Sequence, residues 1–337
     1  MIETWAHPLV PAFKPAPFVV PRWLRNGQIM TIFAALYPRN FRLPPSHRRA
    51  FETSADTTVI AKCHWQKNPQ QHPTIVLIHG LEGNANRSYM MGTAQKAFDA
   101  GFNVLRMNVR NCGGTEHLTP TLYHSGWTHD LQALLTELLE KDGLKNLFLV
   151  GFSMGGNHAL KLAGELGENF PSELKGIVAV SPPLDLAQAS KKLGAPSNFI
   201  YNRRFLRSLK KRLHLKERLY SKTCDLEKLK RAKNIWQFDD AVTAPHFGFR
   251  DALDYYTQAS AFPFLSKICV PSLIIQAQDD PFIPSNIFAQ IAPQKFLAIL
   301  STKHGGHLGF WSNQKNSSEH YWAEQTAVDY CLSLCNA

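Results

Sequence analysis

The sequence predicts an α/β architecture: a mostly parallel central sheet flanked by helices, with a helical cap inserted over the strand ends. Short continuous apolar runs recur at 74–78, 102–109, 147–151, 177–180 and 273–276, each bounded by turn formers. Runs of this length fit strands buried on both faces. Between them, 88–100, 127–141 and 154–166 carry apolar residues at helical spacing and stop at Gly101, Gly143 and Gly167. Strand and helix in alternation argue for parallel strands joined by right-handed crossovers. The alternation breaks over about 184–264, which is helical, basic and aromatic in character and reads as the cap.

The chain's first part follows a different logic. Residues 1–47 are rich in proline and aromatics, include the run Pro21-Arg-Trp-Leu-Arg-Asn-Gly27, and show no sustained period. This segment is expected to wrap over the surface as ordered coil with one short helix. The main domain then spans 48–337, opening at 48–65 with an alternation that suggests two antiparallel strands before the turn-forming run at 67–73.

Composition narrows the function classes. With 337 residues, 44% apolar and 19% charged, the chain can bury one large core and is far from a disordered composition. Six cysteines, Cys63, Cys112, Cys224, Cys269, Cys331 and Cys335, are scattered without a C-x-x-C pair, which disfavours a disulfide framework or a zinc ribbon and fits a reduced cytoplasm. Prolines interrupt the first 20 residues where a secretory signal needs an apolar run, and no later stretch is long and apolar enough to span a bilayer. A cytoplasmic location is therefore expected.

The net charge of +11 is concentrated: between positions 190 and 233 there are fifteen Lys or Arg against Glu217, Asp225 and Glu227. The remainder of the chain is close to neutral. In the stretch 202–219, Phe205, Leu206, Leu209, Leu213 and Leu215 lie among these cations, an amphipathic arrangement suited to peripheral contact with an anionic membrane. A solvated outer face is the competing reading, and no recognition motif for nucleic acid accompanies the charge.

The sharpest chemical signal is Gly151-Phe-Ser153-Met-Gly155-Gly-Asn157, a G-x-S-x-G between an apolar strand and a helix. Glycines are needed where strand and helix pass closely, and the serine sits on a strained turn that exposes its Oγ. A serine hydroxyl is a weak nucleophile at neutral pH without a base, and the base needs an acid to fix its tautomer. Both partners follow in the chain order Ser, acid, His. The strand at 272–278 ends in Asp279-Asp280-Pro281, and His304-Gly-Gly-His307-Leu-Gly309 follows the next strand at 296–300. Neighbouring residues at a strand end point to opposite sides, so one aspartate faces the imidazole. Asp280 is favoured with Asp279 as alternative, and His307 is favoured over His304. The two histidines lack an H-E-x-x-H context or cysteine ligands, so a zinc pair is disfavoured.

The backbone N–H of Met154, directly after the serine, and that of Leu81, in His79-Gly-Leu-Glu-Gly83 after the first central strand, are the expected oxyanion donors. The loop Arg110-Asn-Cys-Gly-Gly114 has neither the lysine of a P-loop nor a G-x-G-x-x-G and reads as structural. The implied chemistry needs no metal and no organic cofactor, and its partner is a small-molecule ester.

Taken with Pro21–Gly27, Asn108-Val-Arg-Asn-Cys-Gly-Gly114 and Leu122-Tyr-His-Ser-Gly126, these motifs make the chain resemble, nearly end to end, the YheT-like branch of the α/β-hydrolases. That branch comprises predicted esterases related to eukaryotic abhydrolase-domain lipases and acyltransferases. The resemblance implies an α/β-hydrolase fold and short-chain carboxylesterase activity, with Ser153, Asp280 and His307 as the charge-relay residues. It leaves open simple esters, glycerides and phospholipids as substrates, and an alcohol in place of water as acyl acceptor. A catalytically silent binding module is the non-enzyme alternative.

Overall fold

The computed structural model describes residues 2–6, 13–220, 226–313 and 320–335. Nine strands form one sheet: β1 (Ile2–Ala6), β2 (His47–Ser54), β3 (Thr57–His64), β4 (Thr74–Ile78), β5 (Asn103–Asn108), β6 (Leu147–Phe152), β7 (Leu174–Val180), β8 (Ser272–Ala277) and β9 (Leu297–Thr302). Their order is β1-β9-β8-β7-β6-β4-β5-β3-β2. The six strands from β9 across to β5 are mutually parallel, while β1, β3 and β2 pair antiparallel at the two edges.

The central strands are buried along their whole length, as their unbroken apolar runs require. Alternation across the pleat sends Val76 and Ile78 of β4 into one core and Ile75 and Leu77 into the other. The second core is closed by the helices α2 (Ser88–Asp99) and α11 (Trp322–Cys335), the first by α3 (His129–Glu140), α4 (Met154–Leu166) and the cap. The cap lies between β7 and β8 and contains α5 (Leu186–Leu193), α6 (Phe199–Leu219), α7 (Leu226–Arg231), α8 (Ile235–Phe238), α9 (Ala244–His246) and α10 (Ala252–Ala259), with one π-helical turn at Asp239–Thr243.

The expectation for the N-terminal segment needs correction at two places. Ile2–Ala6 is a strand, paired in register with Thr302–Ala298, because β9 would otherwise end the sheet with a row of unpaired backbone groups. The expected short helix is α1 (Gly27–Leu36), and it packs against the site rather than merely over the surface. The terminal helix α11 was not foreseen, since only its context as a lid on the second core marks it out. Glu324 in α11 accepts bidentate bonds from Arg39 at 2.6 and 2.7 Å and another from Lys96 at 2.7 Å, tying α11 to α2 and to the N-terminal segment.

Five cysteines are free thiols, and Cys224 lies outside the described residues, as do Lys222 and Asp225 of the basic stretch. No helix among the described residues is long and apolar enough to cross a membrane.

Candidate active site

Ser153 caps the N-terminus of α4 with φ 53° and ψ −121°, a conformation rarely adopted by L-residues. Its backbone N–H donates to the Val180 carbonyl at 2.8 Å, pinning the turn to β7. Both flanking glycines are steric necessities: a Cβ at Gly151 would overlap the Gly155 carbonyl, and one at Gly155 would overlap the Ile78 carbonyl of β4. The positive end of the α4 dipole therefore lies beside the serine.

His307 Nε2 is 3.0 Å from Ser153 Oγ, and its Nδ1 is 2.8 Å from Asp280 Oδ2. Asp280 is buried, and its other oxygen accepts the N–H groups of Phe282 and Ile283 at 2.7 and 3.0 Å. Asp279 turns the other way. Its carboxylate accepts from the Gly306 N–H at 2.9 Å and lies 3.3 Å from His304 Nδ1. The two aspartates thus pair with different histidines, and only Asp280 connects through an imidazole to the serine. No group of three or more metal-ligating side chains occurs among the described residues.

The loop after β4 passes close over the serine. A Cβ at Gly80 would come within 3.0 Å of Ser153 Cβ, and Leu81 and Met154 both line the cavity beside Ser153. His79 anchors this loop: its Nε2 accepts the Val109 N–H at 3.1 Å, which leaves Nδ1 to donate to the Gly80 carbonyl at 2.8 Å. Burial pushes its pKa down to about 4, so the ring is a neutral clamp between β4 and β5. Glu82, with φ 54°, is held by Arg212 of α6 through bonds of 2.9 and 3.1 Å and by the Tyr123 hydroxyl at 2.7 Å, with Ser208 also donating to it. Burial alone raises a carboxyl, but the Arg212 charge and these bonds outweigh it and hold Glu82 below the usual range.

Several positioning groups escaped the sequence reading. Thr31 Oγ1 in α1 accepts the His307 N–H at 2.8 Å and donates to the Gly27 carbonyl at 2.6 Å, so α1 fixes the histidine loop. Asn26 caps α1 by accepting from Gln28 and Ile29, and a Cβ at Gly27 would overlap the Asp279 carbonyl oxygen. Lys192 of the cap donates to the Asp280 and Ile283 carbonyls at 2.7 and 3.0 Å, and Asn198 to the Pro281 carbonyl at 2.7 Å. The only sequence signal was the unusual Pro21–Gly27 run, whose Asn-Gly marks a helix start. Arg110, in the loop read as structural, makes a buried bidentate pair with Asp130 at 2.5 and 2.6 Å.

Above Ser153 and His307 lies a cavity of about 520 Å³, within the range of small-molecule sites. Cap residues Leu186, Leu193, Leu209, Leu213, Ile235 and Phe238 give it a largely apolar wall. The α/β hydrolase fold model matches residues 73–314, and the chain is 34% identical over 330 residues to YheT of Escherichia coli (strain K12), covering 96% of this chain and 95% of that protein. This chain belongs to the YheT-like branch of the α/β-hydrolases. It is also similar to the monoacylglycerol lipase of Saccharomyces cerevisiae (28% identity, 75% of this chain and 57% of that one) and to human phospholipase ABHD3 (30%, 71% and 58%). The chain thus spans less than two thirds of these two eukaryotic relatives. Among solved structures, Est1E from Butyrivibrio proteoclasticus superposes with a TM-score of 0.55 at 13% identity, covering 86% of this chain and 99% of that one. At that identity the likeness supports the fold. The chain thus shares the α/β-hydrolase fold with relatives named for lipase and phospholipase activity.

Proposed function

We propose that this protein is a serine carboxylesterase acting through Ser153, His307 and Asp280. The observation that carries the reading is the unbroken relay of 3.0 and 2.8 Å from Ser153 Oγ through His307 to the buried Asp280, beneath a largely apolar cavity. Ser153 Oγ attacks the ester carbonyl as His307 Nε2 takes its proton, and the N–H groups of Leu81 and Met154 receive the oxyanion. Asp280 orients the ring and balances the imidazolium. Collapse of the tetrahedral intermediate breaks the ester C–O bond, and His307 returns the proton to the departing alcohol. A water, deprotonated by the same imidazole, then attacks the acyl-enzyme and frees the acid and Ser153. No metal or organic cofactor enters any step.

The cavity is wider than an acetyl group fills, which argues that longer acyl chains are accommodated as well as short ones. The test is labelling with a fluorophosphonate probe, alongside turnover of p-nitrophenyl esters from acetate to decanoate, for wild type and Ser153→Ala. Wild type is expected to label and turn over, with a preference for chains beyond acetate, and the variant to do neither. A folded wild type that neither labels nor cleaves any ester sinks the reading.

A further inference from the structure

We infer that the rim of the cavity, formed by α1 and the first half of α6, is a docking face for an anionic lipid surface from which the ester enters. This rests on the esterase reading above and deepens it, since it makes the substrate a lipid ester drawn from an aggregate.

The face is built from two helices that meet at the mouth. On α1, Met30, Thr31 and Ala34 are buried, whereas Ile29, Ile32 and Leu36 are 50%, 44% and 75% exposed. Their spacing of three and four residues aligns them in one stripe. The first turn of α6 adds Phe199 and Ile200, 58% and 73% exposed. The two helices are joined where Gln28 Nε2 donates to Asn198 Oδ1 at 2.9 Å. Ile32, Leu36 and Ile200 also line the cavity that holds Ser153, so the apolar patch is continuous with the entrance. Scattered exposed apolar residues need no explanation, but a contiguous group around an entrance marks a contact surface.

Cations follow directly. Arg203, Arg204 and Arg207 are exposed on α6, one and two turns beyond Phe199 and Ile200, while Leu206, Leu209 and Leu213 of the same helix are buried. Other basic residues of α6 have internal work: Arg212 holds Glu82 and Glu116, and Lys216 reaches the Glu116 and Thr119 carbonyls. Three cations of the basic stretch are thus turned outward beside the apolar rim. A protein partner seated there would close the mouth. A lipid surface supplies apolar contact, negative charge and the ester together.

The experiment is sedimentation of the full chain with phosphatidylcholine vesicles, with and without phosphatidylglycerol, at low and high salt. It includes the double variants Ile29→Asp/Phe199→Asp and Arg203→Glu/Arg207→Glu, whose residues do not line the cavity. Wild type is expected to bind the phosphatidylglycerol vesicles and to release with salt, and each double variant to bind about tenfold less or weaker still. Both variants should hydrolyse vesicle-dissolved esters more slowly while keeping the wild-type rate on soluble p-nitrophenyl butyrate. Wild type that ignores anionic vesicles, variants that bind as well as wild type, or a stable wild-type dimer split by Ile29→Asp would each overturn the inference. Sedimentation reads the surface without reference to turnover, so failure of the esterase reading would show separately, in the soluble-ester assay.

Discussion

Arg212, on a cap helix, holds Glu82, one residue beyond Leu81 in the loop over Ser153, through paired bonds of 2.9 and 3.1 Å. The cap that walls the cavity is therefore coupled by a buried ion pair to the loop that carries Leu81, the proposed oxyanion donor. Removing one partner of such a pair leaves an uncompensated buried charge, typically costing about 3–5 kcal/mol. Arg212→Met is expected to lower stability by that order and to cut kcat, with a smaller effect on KM. In Glu82→Gln/Arg212→Met the stranded charge of Glu82 is gone and only the less buried Glu116 still loses its bond from Arg212, so stability should largely return, while kcat stays low because the loop is no longer held. Urea melts and kinetics on both variants check this, and recovery of kcat together with stability would show the pair to be structural only.

Thr31 offers a second separation of positioning from folding. Thr31→Val keeps the shape but removes the acceptor for the His307 N–H and the donor to Gly27. Since small misplacements of a reacting group cost up to about 100-fold, kcat on p-nitrophenyl butyrate is expected to fall by about tenfold or more, with KM little changed. Thr31→Ser should restore most of it. A Ser variant as slow as the Val variant would count against the hydroxyl.

These two examples locate what was legible in the sequence. The parallel strands, the Ser153 turn and the Asp280 and His307 segments each leave a local signature, because burial on both faces and a tight βα turn dictate residue type within a short window. Thr31 and Arg212 leave none. Each acts across a large sequence separation on a backbone group or a carboxylate, and a threonine on a helix or an arginine in a basic stretch has many ordinary reasons to be there. The strand Ile2–Ala6 was missed for a related cause: its pairing is set by the open edge of β9, nearly 300 residues away.

Acid should destabilise the fold. Burial pushes His64, His79 and His158 down to about 4 and His124 to about 3, whereas an unfolded imidazole titrates near 6.5. Between those values the unfolded chain binds protons that the folded chain refuses, so stability is full above about 6.5 and is lost as pH falls towards about 4. Asp239 works in the opposite sense, since burial raises it to about 6 and its folded form takes up a proton first. Four histidines outweigh one carboxyl. The urea midpoint is expected to fall between about pH 7 and about pH 5, and a midpoint that holds steady or rises over that range would contradict the assignment of these rings as buried and neutral.

The adjacent aspartates should differ sharply in function. Asp280 fixes the imidazole through Nδ1 at 2.8 Å, so in Asp280→Asn the amide can present a donor to that nitrogen and favour the wrong tautomer. A loss of about 10⁴ in kcat accompanies such a change in serine hydrolases of this logic. Asp279 reaches only His304 and the Gly306 N–H, and Asn at that position can still accept from Gly306. Asp279→Asn is therefore expected to cost less than about tenfold, through slackening of the turn that carries His307. Steady-state kinetics on the two variants, with circular dichroism to confirm folding, decides the matter. If Asp279→Asn were the slower enzyme, the relay would run through His304 and the assignment of Asp280 and His307 would fall together.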